Sequence, residues 1–284
     1  MSRRMTSIAK DIAATIPLND GVNMPILGLG LNKVSSGVGG EAEKAVEYAI
    51  SQGYRLMDTA EFYQNEEDVG RGIKNSGIKR EDMFVVSKLW ENGYRRCMKI
   101  FNESLQKLDT KYADLYLIHS PASGKVVETY KAMLQLKEQR LIRSVGVSNF
   151  GVHHLEGLKS AGLPKPSVNQ IELHPWQQKL EIVKYCRANE ITVMGHCPLA
   201  KGQRFDDKTL NEIANKYKKT PAQILIRWSV QHGYITIPKS AKPQRIAENM
   251  QVFEWSLDEE DMAQLDSFPD KSCSWNPCIS LWTG

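Results

Sequence analysis

The sequence predicts an α/β protein folded as a (β/α)8 TIM barrel, with an N-terminal β-hairpin and an extra C-terminal helix and tail. Three observations predict it. Eight short apolar runs alternate with segments of helical period along the 284 residues. The runs are continuously apolar, as strands are when helices cover both faces of a parallel sheet. Polar residues able to do chemistry recur at the carboxyl ends of these runs, where a barrel of this class builds its site. Barrels of about 250 residues form one domain, so residues 1–284 are expected to be one. Residues 1–14 are expected to be a disordered lead, and residues 270–284 a tail near the active-site face.

Taken in order, Asp20-Gly21 lies between Ile16-Pro-Leu and Asn23-Met-Pro and signals a hairpin turn. Ile26 to Gly30 is the first buried strand. Ala42, Ala45, Val46, Ala49 and Ile50 mark one face of the first helix. Leu56-Met57 is the second strand, and Glu67 to Lys74 follows as a helix. The strand Phe84 to Lys88 precedes a helix buried through Cys97, Phe101, Leu105 and Leu108. Leu115 to His119 precedes one buried through Val127, Tyr130, Met133 and Leu134. Ile142 to Val147 precedes Val152, Leu155 and Leu158; Val168 to Ile171 precedes Ile182, Val183 and Cys186. Ile191 to Met194 precedes Leu210, Ile213 and Ala214. A further helix opens at Thr220, with Pro221 at its first position and Gln223 completing a capping box. Ile235 to Ile237 is the eighth strand, and Ala241 to Asn249 reads as a helix. Ser256 and Glu259 form a second capping box before a last helix buried through Met262, Leu265 and Phe268. Trp275 and Trp282 in the tail call for packing partners.

Composition narrows the class. The five cysteines are odd in number and lack metal-type spacing, so reduced thiols in the cytosol are expected and no metal site is. The net charge of +4 attracts an anionic small molecule at most and gives no ground for nucleic acid. No apolar run is long enough to span a bilayer. The first residues lack a secretory apolar stretch, although Arg3, Arg4 and Lys10 leave an organelle-targeting alternative. A cytoplasmic monomer acting on a small molecule is expected.

The strand-end residues Asp58, Tyr63, Lys88 and His119 form a coherent set. A tyrosine is a weak acid, with a pKa of about 10. A lysine ammonium near its oxygen favours the phenolate, and an aspartate keeps that lysine charged and aimed. A neutral histidine orients an incoming carbonyl. The set suits proton donation to a developing alkoxide. No side chain supplies a hydride, so a nicotinamide cofactor is implied. Gly28-Leu-Gly30-Leu-Asn-Lys33 fails the G-x-G-x-x-G turn, which argues against a doubly wound dinucleotide domain.

From Gly28 to about Asn249 the chain resembles the aldo-keto reductase superfamily. The resemblance rests on six motifs in order, each at an expected strand end. They are Met57-Asp-Thr-Ala60 with Tyr63-Gln-Asn-Glu66, Ser87-Lys-Leu-Trp90, Asp114-Leu-Tyr-Leu-Ile-His119, Gly146-Val-Ser-Asn-Phe150, Asn169-Gln-Ile-Glu172, and Ile237-Pro-Lys-Ser240 with Arg245-Ile-Ala-Glu-Asn249. The resemblance implies NADPH-dependent reduction of aldehydes and ketones, with Tyr63 as general acid tuned by Lys88 and Asp58, and His119 placing the carbonyl. It implies that Ser148, Asn149 and Gln170 hold the nicotinamide carboxamide. Lys239, Ser240 and Arg245 would bind the 2′-phosphate of NADPH or NADP⁺, with Glu248 and Asn249 near the adenine. A helix start flanked by Lys and Arg suits that phosphate. The loop from Leu199 to Arg204 would cover the pyrophosphate, and Trp90, His119 and Ser120 would face the substrate.

The chain departs from the family pattern in three places. Ser120-Pro121 stands where many members have Trp-Pro, and the loop from Pro121 to Lys125 is short. Little chain follows the last helix, so an open substrate site is expected. Gly195-His-Cys-Pro-Leu199 stands where most members read Ala-Tyr-Ser-Pro-Leu, putting His196 in place of the aromatic that stacks on the nicotinamide. Two other classes compete: a non-catalytic NADP(H)-binding sensor or structural protein on the same fold, and another barrel enzyme such as an isomerase. His153, His154, His174 and His232 are expected to be structural or surface residues.

Overall fold

A computed structural model describes residues 9–284. The lead expected to be disordered lies outside the described residues up to residue 8; from there Ala9, Ile12 and Ala14 pack against the core. Strands β1 (Thr15–Pro17) and β2 (Asn23–Pro25) pair antiparallel as the expected hairpin. Gly21 takes φ +84° in its turn, a backbone that favours glycine. Leu18 and Met24 of this hairpin pack with Leu56, Phe84, Leu115 and Val168, so the hairpin stops one end of the barrel.

The barrel strands are β3 (Leu29–Gly30), β4 (Leu56–Asp58), β5 (Phe84–Leu89), β6 (Ala113–Ile118), β7 (Ile142–Ser148), β8 (Val168–Glu172), β9 (Thr192–His196) and β10 (Ile235–Thr236). Each pairs in parallel with the next. The circle closes between first and last strand through single bridges, Leu27 to Thr236 and Gly30 to Lys239. Here Gly28 N–H donates to Thr236 O and Thr236 N–H to Ile26 O, both at 2.9 Å. This seam needs glycine: a Cβ on Gly28 would lie 2.4 Å from Leu56 Cγ, and one on Gly30 would lie 2.7 Å from Ile237 O. The seam is also why the strand expected over Ile26 to Gly30 forms a regular ladder only at its end.

Helices α1 (Glu41–Ser51), α2 (Glu66–Asn75), α3 (Tyr94–Lys107), α4 (Val126–Glu138), α5 (Val152–Ser160) and α6 (Leu180–Ala188) each follow a strand. Helices α7 (Lys208–Tyr217) and α8 (Pro221–Gln231) both separate β9 from β10, and α9 (Pro243–Met250) and α10 (Glu259–Asp266) end the fold. The Thr220–Gln223 capping box is present. The one expected at Ser256 is not: Asp258 caps α10 by accepting from Asp261 N–H at 2.9 Å, because the helix starts two residues further on. Helix α9 likewise starts at Pro243, not at Ala241. Helix α4 buries Val126, Tyr130, Met133 and Leu136; Leu134 packs half-buried against the core as expected, while Val126 takes the place expected of Val127. Gly124 (φ +67°) and Lys125 (φ +52°) turn the chain into the helix.

The tail lies on the barrel face where the strands end. Ser272 Oγ donates to Glu172 at 2.6 Å, Trp275 approaches the Trp90 ring to 6.1 Å, and Trp282 packs on Gly157. His153 and His154 pair with Ser280 O at 2.7 and 2.9 Å, so both act as anchors for the tail. His232 pairs with Asp266 at 2.9 Å. No helix among the described residues is long and apolar enough to cross a membrane.

Candidate active site

The site is centred on an ion pair excluded from water. Lys88 near the end of β5 and Asp58 at the end of β4 are 0% and 2% exposed. The ammonium donates to Asp58 Oδ1 at 2.5 Å, to Thr59 O at 2.9 Å and to the Tyr63 hydroxyl at 3.3 Å, which accounts for all three of its N–H bonds. The second carboxylate oxygen accepts from Gln170 Nε2 at 2.7 Å. Burial pulls the lysine pKa down, and the charge of Asp58 and its hydrogen bond oppose that.

Tyr63 is delivered by a short turn, Glu61–Tyr63, between β4 and α2. Gln64 follows with φ +57°. Asn65 then fixes the loop: it donates to Leu31 O and Val34 O at 2.9 and 3.2 Å and accepts from Thr59 Oγ1 at 2.6 Å. The run from Asp58 to Asn65 is thus clamped at both ends around the phenol. The expectation that Lys88 lowers the tyrosine pKa is reversed. Burial first, then the negative potentials of Asp58 and Cys197, push it well above its ordinary value. The ammonium is neutralised by its close contact with Asp58 and sits more loosely on the phenol.

His119 follows β6, its ring set edge-on to Tyr63 at 5.6 Å and to Trp90 at 5.1 Å. Its Nδ1 is buried without a hydrogen-bond partner among the described residues. Burial, then the charge of Lys88, hold its pKa well below the usual histidine value, so the ring is neutral as expected. Phe62 stacks on Trp90 at 4.2 Å, and Trp275 closes the other side of this aromatic rim. Phe62 was not singled out from the sequence; an aromatic beside a strand-end tyrosine was the available signal. Trp275, expected to need a packing partner, finds it in this rim. Ser120 is 3% exposed and its hydroxyl accepts from Ala122 N–H at 3.1 Å, so the group serves its own turn.

On the far side of the ion pair, Ser148 and Gln170 lie on β7 and β8, and Ser148 Oγ donates to Gln170 O at 2.9 Å. Asn149 adopts φ +63° and donates through Nδ2 to His119 O at 3.0 Å. Its amide oxygen pairs with His196 Nε2 at 3.1 Å. Burial pushes His196 down to about 4, so this imidazole is neutral across ordinary pH. Leu199 opens the turn Ala200–Gly202 and packs against the core. Lys239 follows β10 and Arg245 lies on α9; both are exposed, and neither has an ion-pair partner among the described residues. No side chain caps the α9 N-terminus, and Ser240 Oγ accepts from Lys242 N–H at 3.1 Å. Glu248 is engaged by Thr220 Oγ1 at 2.7 Å, and Asn249 is buried. Two motif residues prove structural. Asp114 accepts from Val85 N–H, Arg80 and Arg143 at 2.7–2.9 Å, and Asn169 ties to the Phe150 backbone.

One cluster had no sequence signal, because its members are far apart in the chain. Glu172 accepts from Cys273 N–H at 2.6 Å and pairs with His174 Nε2 at 3.0 Å. The ligand-type atoms of Glu172, His174 and Cys273 lie within 4.8 Å of one another. The carboxylate is already saturated by donors from His174, Ser272 and Cys273, which outweigh burial and hold its pKa at about 2.

Comparison with known proteins places the sequence and the fold. The Aldo/keto reductase family model matches residues 27–270. The glyoxal reductase of Bacillus subtilis (strain 168) is 45% identical over 266 residues, 93% of this chain and 96% of that protein. The crystal structure of an aldo/keto reductase from Brucella melitensis superposes with a TM-score of 0.85 at 42% identity, covering 89% of this chain and 98% of that one. The crystal structure of a Bombyx mori aldo-keto reductase in complex with NADP does so at 0.83 and 38% identity, covering 90% and 93%. With eight parallel strands closing on themselves and a family match that spans them, this chain belongs to the aldo-keto reductase family of oxidoreductases, which use nicotinamide cofactors.

Proposed function

We propose that this protein reduces small aldehydes and ketones to alcohols with NADPH, Tyr63 acting as the general acid. The observation that carries the reading is the buried Lys88–Asp58 pair with its third N–H on the Tyr63 hydroxyl. Bound NADPH supplies the hydride. Tyr63 and His119 receive the carbonyl oxygen between them. The raised pKa of Tyr63 keeps the phenol protonated at neutral pH. An alkoxide is a far stronger base, so the phenol still yields its proton. Lys88 then faces the phenolate it leaves, and Asp58 with Gln170 keeps the ammonium in place.

Residues for the cofactor fit this reading. Lys239 and Arg245 are cations free of ion-pair partners among the described residues, beside a helix start with no side-chain cap. That combination suits a phosphate and favours NADPH over NADH. Ser240 supports the same phosphate, Glu248 and Asn249 the adenine, and the loop from Leu199 the pyrophosphate. Ser148, Asn149 and Gln170 hold the carboxamide, with His196 against the ring. Trp90, His119 and Ser120 border the substrate. The half-open rim of Phe62, Trp90 and Trp275 admits small carbonyl compounds, and a relative named glyoxal reductase supports a small aldehyde as substrate. The protein acts in the cytosol as a monomer, which elution at the mass of one chain checks. The test of function is NADPH oxidation with glyoxal, methylglyoxal and a homologous aldehyde series. Turnover across the series, changing by less than tenfold per methylene, is expected; one methylene is worth only about 1–3 kcal/mol even in a tight apolar pocket. No NADPH oxidation with any of them refutes the reading.

A further inference from the structure

Three of the five cysteines are sealed in the core, while Cys197 and Cys273 are partly exposed. These two come from distant parts of the chain. Cys197 directly follows β9, in the loop that Leu199 continues, with φ +52°. Cys273 belongs to the tail. The tail is seated there by contacts on both sides of its backbone: Cys273 N–H donates to Glu172 Oε1 at 2.6 Å, and Lys201 Nζ donates to Cys273 O at 2.8 Å. Glu172 is the register partner of His196, the residue before Cys197. The same two contacts therefore bring the Cys273 side chain over the Cys197 loop. There each thiol perturbs the other, Cys273 lowering the pKa of Cys197 and Cys197 raising that of Cys273.

We propose that Cys197 and Cys273 are an oxidative modification site: a hydroperoxide converts them into a reversible disulfide that ties the C-terminal tail to the loop following β9.

The surroundings divide the labour. The Cys273 thiol, with Lys201 and Lys33 behind it, holds the Cys197 thiol below its ordinary pKa against the effect of burial. Burial pushes Cys97 and Cys186 up to about 12 and raises Cys278. Cys197 is thus the more acidic of the two thiols and the attacking nucleophile. Its sulfur attacks one peroxide oxygen, the O–O bond breaks, and hydroxide leaves to become water, giving a sulfenic acid at Cys197. Cys273 then attacks that sulfur and gives up its proton to His174, whose Nδ1 has no partner among the described residues. The S–O bond breaks and a second water forms with that proton. In sum, two thiols lose two hydrogens and two electrons, and one hydrogen peroxide becomes two waters. Both cysteines sit outside regular helix and strand, so their backbones can take up the small adjustment that disulfide geometry demands.

The experiment treats the reduced full chain, without cofactor, with equimolar hydrogen peroxide. Free thiols are counted and non-reduced tryptic peptides are mapped by mass spectrometry. Thiols should fall from five to three, with a Cys197–Cys273 linkage that dithiothreitol reverses. The tryptic tail also carries Cys278, so Cys278→Ser must keep the linkage and Cys273→Ser must lose it, leaving a trappable sulfenic acid at Cys197. A linkage through Cys278, a sulfinic acid at Cys197 in the unaltered chain, or five remaining thiols would each overturn the proposal. None of these readouts uses turnover, so the result is independent of the reductase reading.

Discussion

Replacing Tyr63 by Phe isolates the proton donor, because the structure separates what the ring does from what the hydroxyl does. The Phe ring keeps its place under Lys88, 4.8 Å from the ammonium, and its edge-on contact with His119. The hydroxyl makes one long bond, 3.3 Å from Lys88, whose other two N–H groups stay engaged by Asp58 and Thr59. Losing it costs stability only about 1 kcal/mol, the net worth of an ordinary hydrogen bond. General acid catalysis is worth about 10²–10⁴-fold, or about 3–5 kcal/mol of barrier at 1.36 kcal/mol per decade. The expected outcome is an unchanged NADPH dissociation constant and a denaturation midpoint lowered only by that ~1 kcal/mol, with kcat down by the catalytic factor. The pH profile sharpens the test. An acid must be protonated to act, so its contribution is present below its pKa and lost as pH rises through it. With Tyr63 pushed above its ordinary value and His119 held far below its own, kcat/KM for reduction should be flat from about pH 6.5 to 9. The assay is the decay of reduced nicotinamide absorbance with methylglyoxal. Turnover of the Phe variant within tenfold of the parent, or a basic limb below pH 9 in the parent, refutes the assignment.

Asp58→Asn leaves the Lys88 ammonium buried without its counter-charge; denaturant unfolding should show a loss of about 3–5 kcal/mol, and a loss under 1 kcal/mol means the pair contributes little. Arg245→Ala should weaken NADPH at least tenfold more than NADH in equilibrium binding; equal losses show that the arginine does not read the 2′-phosphate. With its pKa near 4, His196 stays neutral between pH 8 and 5.5, so the NADP⁺/NADPH affinity ratio should not change there, in the parent or in His196→Tyr. A ratio that moves in the parent alone contradicts that neutrality.

The barrel and the four residues of the candidate catalytic set were legible in the sequence because both are local properties of the chain. A buried parallel strand is a short apolar run whatever it pairs with, and the residue ending it is fixed by position. Asp58, Lys88 and His119 could therefore be placed without knowing their neighbours. What those neighbours do to them was not legible. An unburied histidine at position 196 would titrate near pH 6.5, and an ammonium beside a phenol would acidify it. Burial and the embrace of Asp58 reverse both expectations, and burial is a sum over atoms from every part of the fold. The same holds for pairings across the barrel. Gln170 reads as a ligand for the carboxamide, and only the closed circle of strands shows its amide on Asp58. Trp275 meets Trp90, and Cys273 meets Cys197, because the tail crosses the face where the strands end. Periodicity tells which face of a helix or strand is buried; what it is buried against is decided by the tertiary structure alone.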